Sequence, residues 1–186
     1  EQINILKYGE RICSIGLEKT MQAVSYHEAG HAVISKVLLP DLKIEQIVVS
    51  PRNNALGFVA YNFEGEYNNL TYEEIKNRIC IAYAGRIAQI EKFGSKEGLD
   101  SGAQNDIDMA TNLACYAVSS LGMDETLGYI NFKAIKHILG NGYTDTLVQE
   151  RICHLLDTQK KRTEVLIKEH WADIESVAKV LMKEEF

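Results

Sequence analysis

Along most of the chain apolar residues recur every three or four positions, and in one short region the period drops toward two. The run Met21–Leu39 is apolar at helical spacing and is stopped by Pro40-Asp41, which predicts a helix with Thr20 as its N-cap. The mixed residues before it, punctuated by Gly9 and Gly16, predict a short helix or turn ending near Ile15. Ile44–Ser50 and Leu56–Phe63 are rich in β-branched and aromatic residues, which predicts two hairpin-related strands joined by a turn over Pro51–Asn54. After a polar connector over 64–69, Thr71 and Glu74 have capping-box spacing and open a helix to Phe93. Gly85 inside that helix costs about 1 kcal/mol against alanine, which is tolerated where another helix or a backbone comes close. A glycine-bearing loop over 94–102 leads to a helix over Ala103–Leu121, an irregular linker over 123–132 and a polar surface loop over 133–143. The apolar residues after Thr144 predict a long helical stretch that divides around Glu169–Asp173 into two antiparallel helices.

The pattern is that of a mainly α chain of the α+β class, with a small β-sheet beside the first long helix. Residues 1–132 read as the core of the molecule, and 133–186 as C-terminal helices packed on it.

Composition narrows the function more than the fold. The 186 residues are 46% apolar and 25% charged, as in an ordinary globular protein. The formal charge of -6 is spread over interleaved acidic and basic residues without a basic patch, which argues against nucleic acid as a partner. Cys13, Cys80, Cys115 and Cys153 form no C-x-x-C pair and read as reduced, mostly buried residues of a cytosol-like compartment. No apolar run reaches the ~18 residues of a membrane span, and no leader pattern opens the chain. The chain therefore reads as soluble, and its start at Glu1 rather than methionine as that of a piece of a longer protein.

The chemistry is concentrated in Tyr26-His27-Glu28-Ala29-Gly30-His31, an H-E-x-x-H string within the first long helix. Residues four apart lie on one helix face, so two imidazoles can share a metal ion while the carboxylate between them reaches a water on it. His27 and His31 share an arc with Ala23, Ile34 and Leu38, and buried histidines need partners. A catalytic zinc takes three protein ligands, so a third must come from elsewhere. His137, His154 and His170 are the histidine candidates. At about 100° per residue Asp106 falls with Ala110, Leu113, Ala114, Ala117, Val118 and Leu121, whereas Asp108 points away. A carboxylate on that face is explained by a cation, or equally by the helix dipole of the first turn, and Asp100 and Asp108 share the segment.

Several stretches in series then carry a family resemblance. Tyr26-His-Glu-Ala-Gly-His-Ala32, Pro51-Arg with Ala55-Leu-Gly57, Ala84-Gly-Arg86, Ser101-Gly-Ala-Gln-Asn-Asp-Ile107, Leu121-Gly-Met with Leu127-Gly128, and Leu155-Leu-Asp157 occur in the expected order. From about residue 18 onward the chain resembles the peptidase domain of the FtsH-type AAA+ proteases. The resemblance implies a helical zinc-peptidase domain in which His27, His31 and Asp106 hold Zn2+ and Glu28 is the catalytic base. It implies a zinc metalloendopeptidase acting on unfolded or damaged proteins, with an ATPase module and transmembrane segments in the full-length protein. It further implies a homo-hexamer on the cytoplasmic face of a membrane. Gln89-Ile90 stands where the family usually has two acidic residues, and the 133–143 loop is plainer than the family's. The rival expectation is a non-catalytic interaction or scaffold domain retaining the fold, favoured by the Gln89-Ile90 departure and the missing ATPase module and opposed by the intact His27, Glu28, His31 and Asp106.

Overall fold

The middle of the motif helix, α1 (Leu17–Leu38), is enclosed, while Glu18 and Lys19 near its start and Lys36 and Val37 near its end are exposed. From Val24 to Ala32 every residue is buried, and Ile34 and Ser35 continue the buried stretch. Such a helix must be covered all round rather than along one stripe. Its covers are the strands β1 (Lys43–Arg52) and β2 (Ala55–Asn62), helix α2 (Tyr72–Glu97) and the C-terminal helix, Trp171–Lys183. The computed structural model describes residues 17–52, 55–62, 69–139 and 146–183. The expectations for 1–16, for the turn tip at 53–54, for 63–68 and for 140–145 fall outside these residues, as does Cys13. α1 is already helical at Leu17, so Thr20 lies inside it and is not its cap.

The strands pair antiparallel, with Ile47 opposite Val59 and Val48 opposite Phe58, and the register shifts between Val49 and Arg52. Arg52 pairs with Ala55, so Pro51-Arg52 extends the strand where the pattern predicts a turn. Each strand of a two-stranded sheet has an unpaired edge, where the missing proline N–H costs no ladder bond. The capping box of α2 is formed: the Thr71 N–H donates to Glu74 Oε2 at 2.7 Å and the Glu74 N–H donates to Thr71 Oγ1 at 3.2 Å. Gly94, at φ 76°, breaks α2 after Phe93, and a further helical turn to Glu97 occupies the start of the predicted loop.

Helix α3 (Gln104–Ser119) buries Ala110, Ala114, Ala117 and Val118, while Leu121 falls beyond its end and is exposed. The irregular linker that follows is organised by buried Asp124, which accepts from the Thr126 and Leu127 N–H groups and from Arg151 Nε. Helix α4 (Phe132–Leu139) replaces most of the predicted surface loop. Phe132, Ile135, Ile138 and Leu139 have helical spacing, and the Ala134 N–H donates to Asn131 Oδ1 at its start, which outweighs the polar residues between them. Helices α5 (Thr146–Glu169) and α6 (Trp171–Lys183) divide within the predicted span, at His170. They do not pack along each other: α5 lies on α2 and α3, and α6 lies on α1.

Two apolar clusters meet at α2. Ile81, Ala84 and Ala88 join Tyr26, Ala29 and Ile34 of α1 and Ile174 and Ala178 of α6. Ile75, Ile79 and Ala82 join Ala110, Ala114 and Val118 of α3 and Leu155 of α5. The α1–α2 contact is very close: a Cβ at Gly30 would stand 2.7 Å from the Ala84 carbonyl and 2.8 Å from Ala88 Cβ. Cys80 is buried and Cys115 half-buried, but Cys153 is exposed, contrary to the expected burial. Among the described residues no helix is long and apolar enough to cross a membrane.

Candidate metal centre

His27 and His31 are one turn apart on α1, with their ring centroids 4.6 Å apart and both side chains buried. They fit because α2 presents no side chain where they lie. A Cβ at Gly85 would come within 2.5 Å of His31 Nε2 and 2.7 Å of two His27 ring carbons. The helical cost of Gly85 is thus offset by the close approach of α1, whose two imidazoles occupy the space a side chain would take. Each imidazole has its Nδ1 against an oxygen of α2: His31 against the Ile81 carbonyl at 2.7 Å, and His27 against Gln89 Oε1 at 3.1 Å. An oxygen acceptor demands the proton on Nδ1, so in the neutral rings both Nε2 atoms keep a lone pair.

Asp106, in the first turn of α3, completes the cluster. Its Oδ2 lies 3.0 Å from His27 Nε2 and 3.4 Å from His31 Nε2, and the two Nε2 atoms are 3.0 Å apart. Three acceptors so close repel one another unless positive charge stands among them. Ligands about 2 Å from a tetrahedral zinc are roughly 3.3 Å apart, close to these separations, so the donor set fits that ion. Among the described residues this is the one group of three histidine, cysteine or acidic side chains able to share a cation. Protons alone answer the repulsion in part. Burial works against a charged His31, but the hydrogen bond and charge of Asp106, with Glu28 and the Ile81 carbonyl, raise its pKa. Burial favours protonation of Asp106, yet where the imidazoles carry the extra proton their hydrogen bonds and charge hold its carboxyl far below the usual range.

Glu28 is 5% exposed, at the side of a cleft of about 460 Å3 that also receives His27, His31 and Asp106. Burial raises its pKa, opposed by the charges of His31 and His27 and reinforced by that of Asp106. The sheet lies directly against it: a Cβ at Gly57 would stand 2.7 Å from Glu28 Oε1. Phe58 and Val59 of β2 line the same cleft, and Tyr61 beside them is kept a neutral phenol by burial, its pKa pushed up to about 12.

The structure thus brings His27, Glu28, His31 and Asp106 to one cleft. Asp106 is at its rim rather than in the core, and Asp108 faces solvent. His137 and His154 are exposed on α4 and α5, and His170 sits between α5 and α6 near Asp173, all outside the cluster. Sequence reasoning missed the roles of Gln89, the Ile81 carbonyl and Gly57. Gln89 was open to detection, since it follows Gly85 by one helical turn and is a polar residue on a buried face.

A model of peptidase family M41 matches residues 15–186. The ATP-dependent zinc metalloprotease FtsH 1 of Thermoanaerobacter sp. is 32% identical over 187 residues, covering 95% of this chain and 30% of that protein. The ATP-dependent zinc metalloprotease FtsH of Haemophilus influenzae is 33% identical over 121 residues, covering 65% of this chain and 19% of that protein. A component of the mitochondrial inner membrane m-AAA protease of Mus musculus is 30% identical over 184 residues, covering 91% of this chain and 22% of that protein. The chain spans less than a third of the length of each of these relatives. With the family model running through nearly all of it, and through every residue of the cleft, the chain belongs to peptidase family M41.

Proposed function

We propose that this chain is a zinc metalloendopeptidase domain in which His27, His31 and Asp106 hold the ion and Glu28 is the catalytic base. The observation that carries the reading is the convergence of three lone-pair donors, at 3.0 to 3.4 Å, beside a buried carboxylate of raised pKa. A zinc ion held there supplies Lewis acidity toward a water and a carbonyl oxygen. Glu28 takes a proton from the attacking water and delivers it to the leaving amine, a task for which a raised pKa suits a carboxylate. Its place against Gly57 sets that carboxylate between the metal ligands and β2, whose segment Gly57–Val59 borders the cleft. An extended peptide added to the sheet edge would be bound largely through its main chain, with little sequence preference.

By the same reading the whole protein is an ATP-dependent membrane protease that degrades unfolded or damaged polypeptides. Its ATPase module and transmembrane segments lie outside this chain, and it works as a homo-hexamer on the cytoplasmic face of its membrane. The names of the relatives, ATP-dependent zinc metalloproteases and a mitochondrial inner membrane protease component, support this. Within the chain we assign the peptidase core to 1–132 and a supporting role to the helices of 133–186, whose Leu155, Ile167 and Ile174 fill the clusters behind the site. Of the two features that favour a scaffold domain, the Gln89-Ile90 departure loses its weight, because Gln89 supplies an oxygen to His27 Nδ1.

Glu28→Gln is the test. Zinc content is expected to be retained while cleavage of an unfolded protein substrate falls ~10^2–10^4-fold. Undiminished cleavage by this variant would overturn the assignment.

A further inference from the structure

We propose that Gln89 is a positioning residue that holds His27 in its Nδ1–H tautomer, and that Asp100 acts on the metal centre through Gln89. This rests on the reading of His27 as a ligand, but the hydrogen-bond pattern that supports it is independent of any ion.

A carboxamide has an oxygen end and a nitrogen end of nearly equal shape, so its neighbours decide which way it faces. Gln89 is 3% exposed and has acceptors on one side: the Ala23 carbonyl at 3.4 Å and Asp100 Oδ2 at 3.2 Å. Both need a donor, so Nε2 faces them and Oε1 is left toward His27 Nδ1. The reverse orientation would set oxygen against two oxygens and an NH2 group against His27. With Oε1 at Nδ1 a His27 proton is held there, and Nε2 is the nitrogen left to face Asp106 and His31.

Asp100 also ties this relay to the third ligand. Its Oδ1 accepts from the Gly102 N–H at 2.8 Å, and its carbonyl accepts from Arg86 Nη2 at 2.7 Å. That loop runs directly into α3, whose first turn carries Asp106. One exposed carboxylate therefore orients the amide behind His27 and braces the lead-in to Asp106. The partner of a metal-ligating histidine is commonly a carboxylate, a carbonyl or water. Here a neutral amide takes that place, with a carboxylate one step farther out.

The experiment uses 15N-histidine-labelled chain in its metal-free form, where imidazole nitrogen shifts report which nitrogen bears the proton. Zinc affinity is measured in parallel by competition with a chelator. Wild type and Gln89→Glu, which both offer an oxygen, are expected to keep Nδ1–H at His27. Gln89→Leu is expected to lose that preference and to bind zinc ~10–100-fold more weakly. Asp100→Asn keeps the oxygen for Gly102 but turns an NH2 group toward Gln89. It should shift His27 the same way and weaken zinc by less, and add nothing in the Gln89→Leu background. An unchanged His27 tautomer in Gln89→Leu would overturn the proposal, as would equal zinc losses from Asp100→Asn with and without Gln89. Should Gln89→Leu not fold, an unmoved His27 in Asp100→Asn is the overturning result. A wild-type chain that binds no zinc would sink the metal reading, while the tautomer data still decide the relay.

Discussion

The two imidazoles of the centre are held by different kinds of partner. His31 is fixed by main chain, the Ile81 carbonyl one turn before Gly85, and no side-chain substitution can delete that oxygen. His27 is fixed by a side chain, Gln89, itself oriented by a second side chain on the loop ahead of α3. The first anchor depends on how closely two helices approach, the second on which polar group occupies one position. Both rings should be sensitive to volume at Gly85, but only the His27 side should be sensitive to side-chain chemistry.

The largest effect should come from breaking the close approach. Gly85→Ala places a methyl group at 2.5 Å from His31 Nε2. We expect zinc affinity to fall by at least ~100-fold and the metal-free chain to lose ~1–3 kcal/mol through overpacking. Gly94→Ala is the control: nothing lies within 4 Å of its Cβ, but φ is 76°. It should lose ~1–3 kcal/mol, because φ 76° with ψ 164° is a conformation that essentially only glycine adopts, and keep wild-type zinc affinity. Titration with a chelator and thermal melts of both variants check this.

A smaller effect separates metal holding from substrate binding. Charged residues at Phe58 and Val59 should raise KM several-fold with zinc content unchanged, because those residues line the cleft on the sheet side. An unchanged KM would count against strand addition at β2.

The smallest effect is a pH slope to which His31 contributes, with buried Glu28 adding in the same direction because its pKa is also raised. Its folded pKa is raised above 6.5, so its contribution to stability is complete below 6.5 and is lost as pH rises through the folded value. Asp106 has the opposite sign: its pKa is depressed below 3.8, so its contribution is present above 3.8 and lost as pH falls. The metal-free chain should melt at progressively lower temperature above pH 6.5, and saturating zinc should flatten that limb. A melting temperature that rises there in the metal-free chain would contradict the His31–Asp106 pairing.

How much of this was legible in the sequence depends on whether the signal was local. The H-E-x-x-H spacing places two imidazoles on one helix face by geometry alone. The capping box at Thr71 and Glu74 is equally local and is formed. Asp106 shares the arc of Ala110, Ala114 and Ala117, but periodicity could not tell a metal-facing carboxylate from a dipole-satisfying one. That distinction needs α1 and α3 brought together. The helix over 132–139 was hidden by the polar residues between its apolar positions, and the extension of β1 through Pro51 by the usual association of proline with turns. The site features supplied by α2 were out of reach for another reason. A carbonyl such as that of Ile81 has no signature in sequence, and Gln89 is informative only once its two acceptors and His27 surround it.

The most direct test is the metal content of the purified chain beside its Asp106→Ala, Asp108→Ala and His154→Ala variants. About one zinc per chain is expected in wild type, lost in Asp106→Ala and retained in the other two. Zinc retained by Asp106→Ala and lost with His154→Ala would contradict the site at its centre.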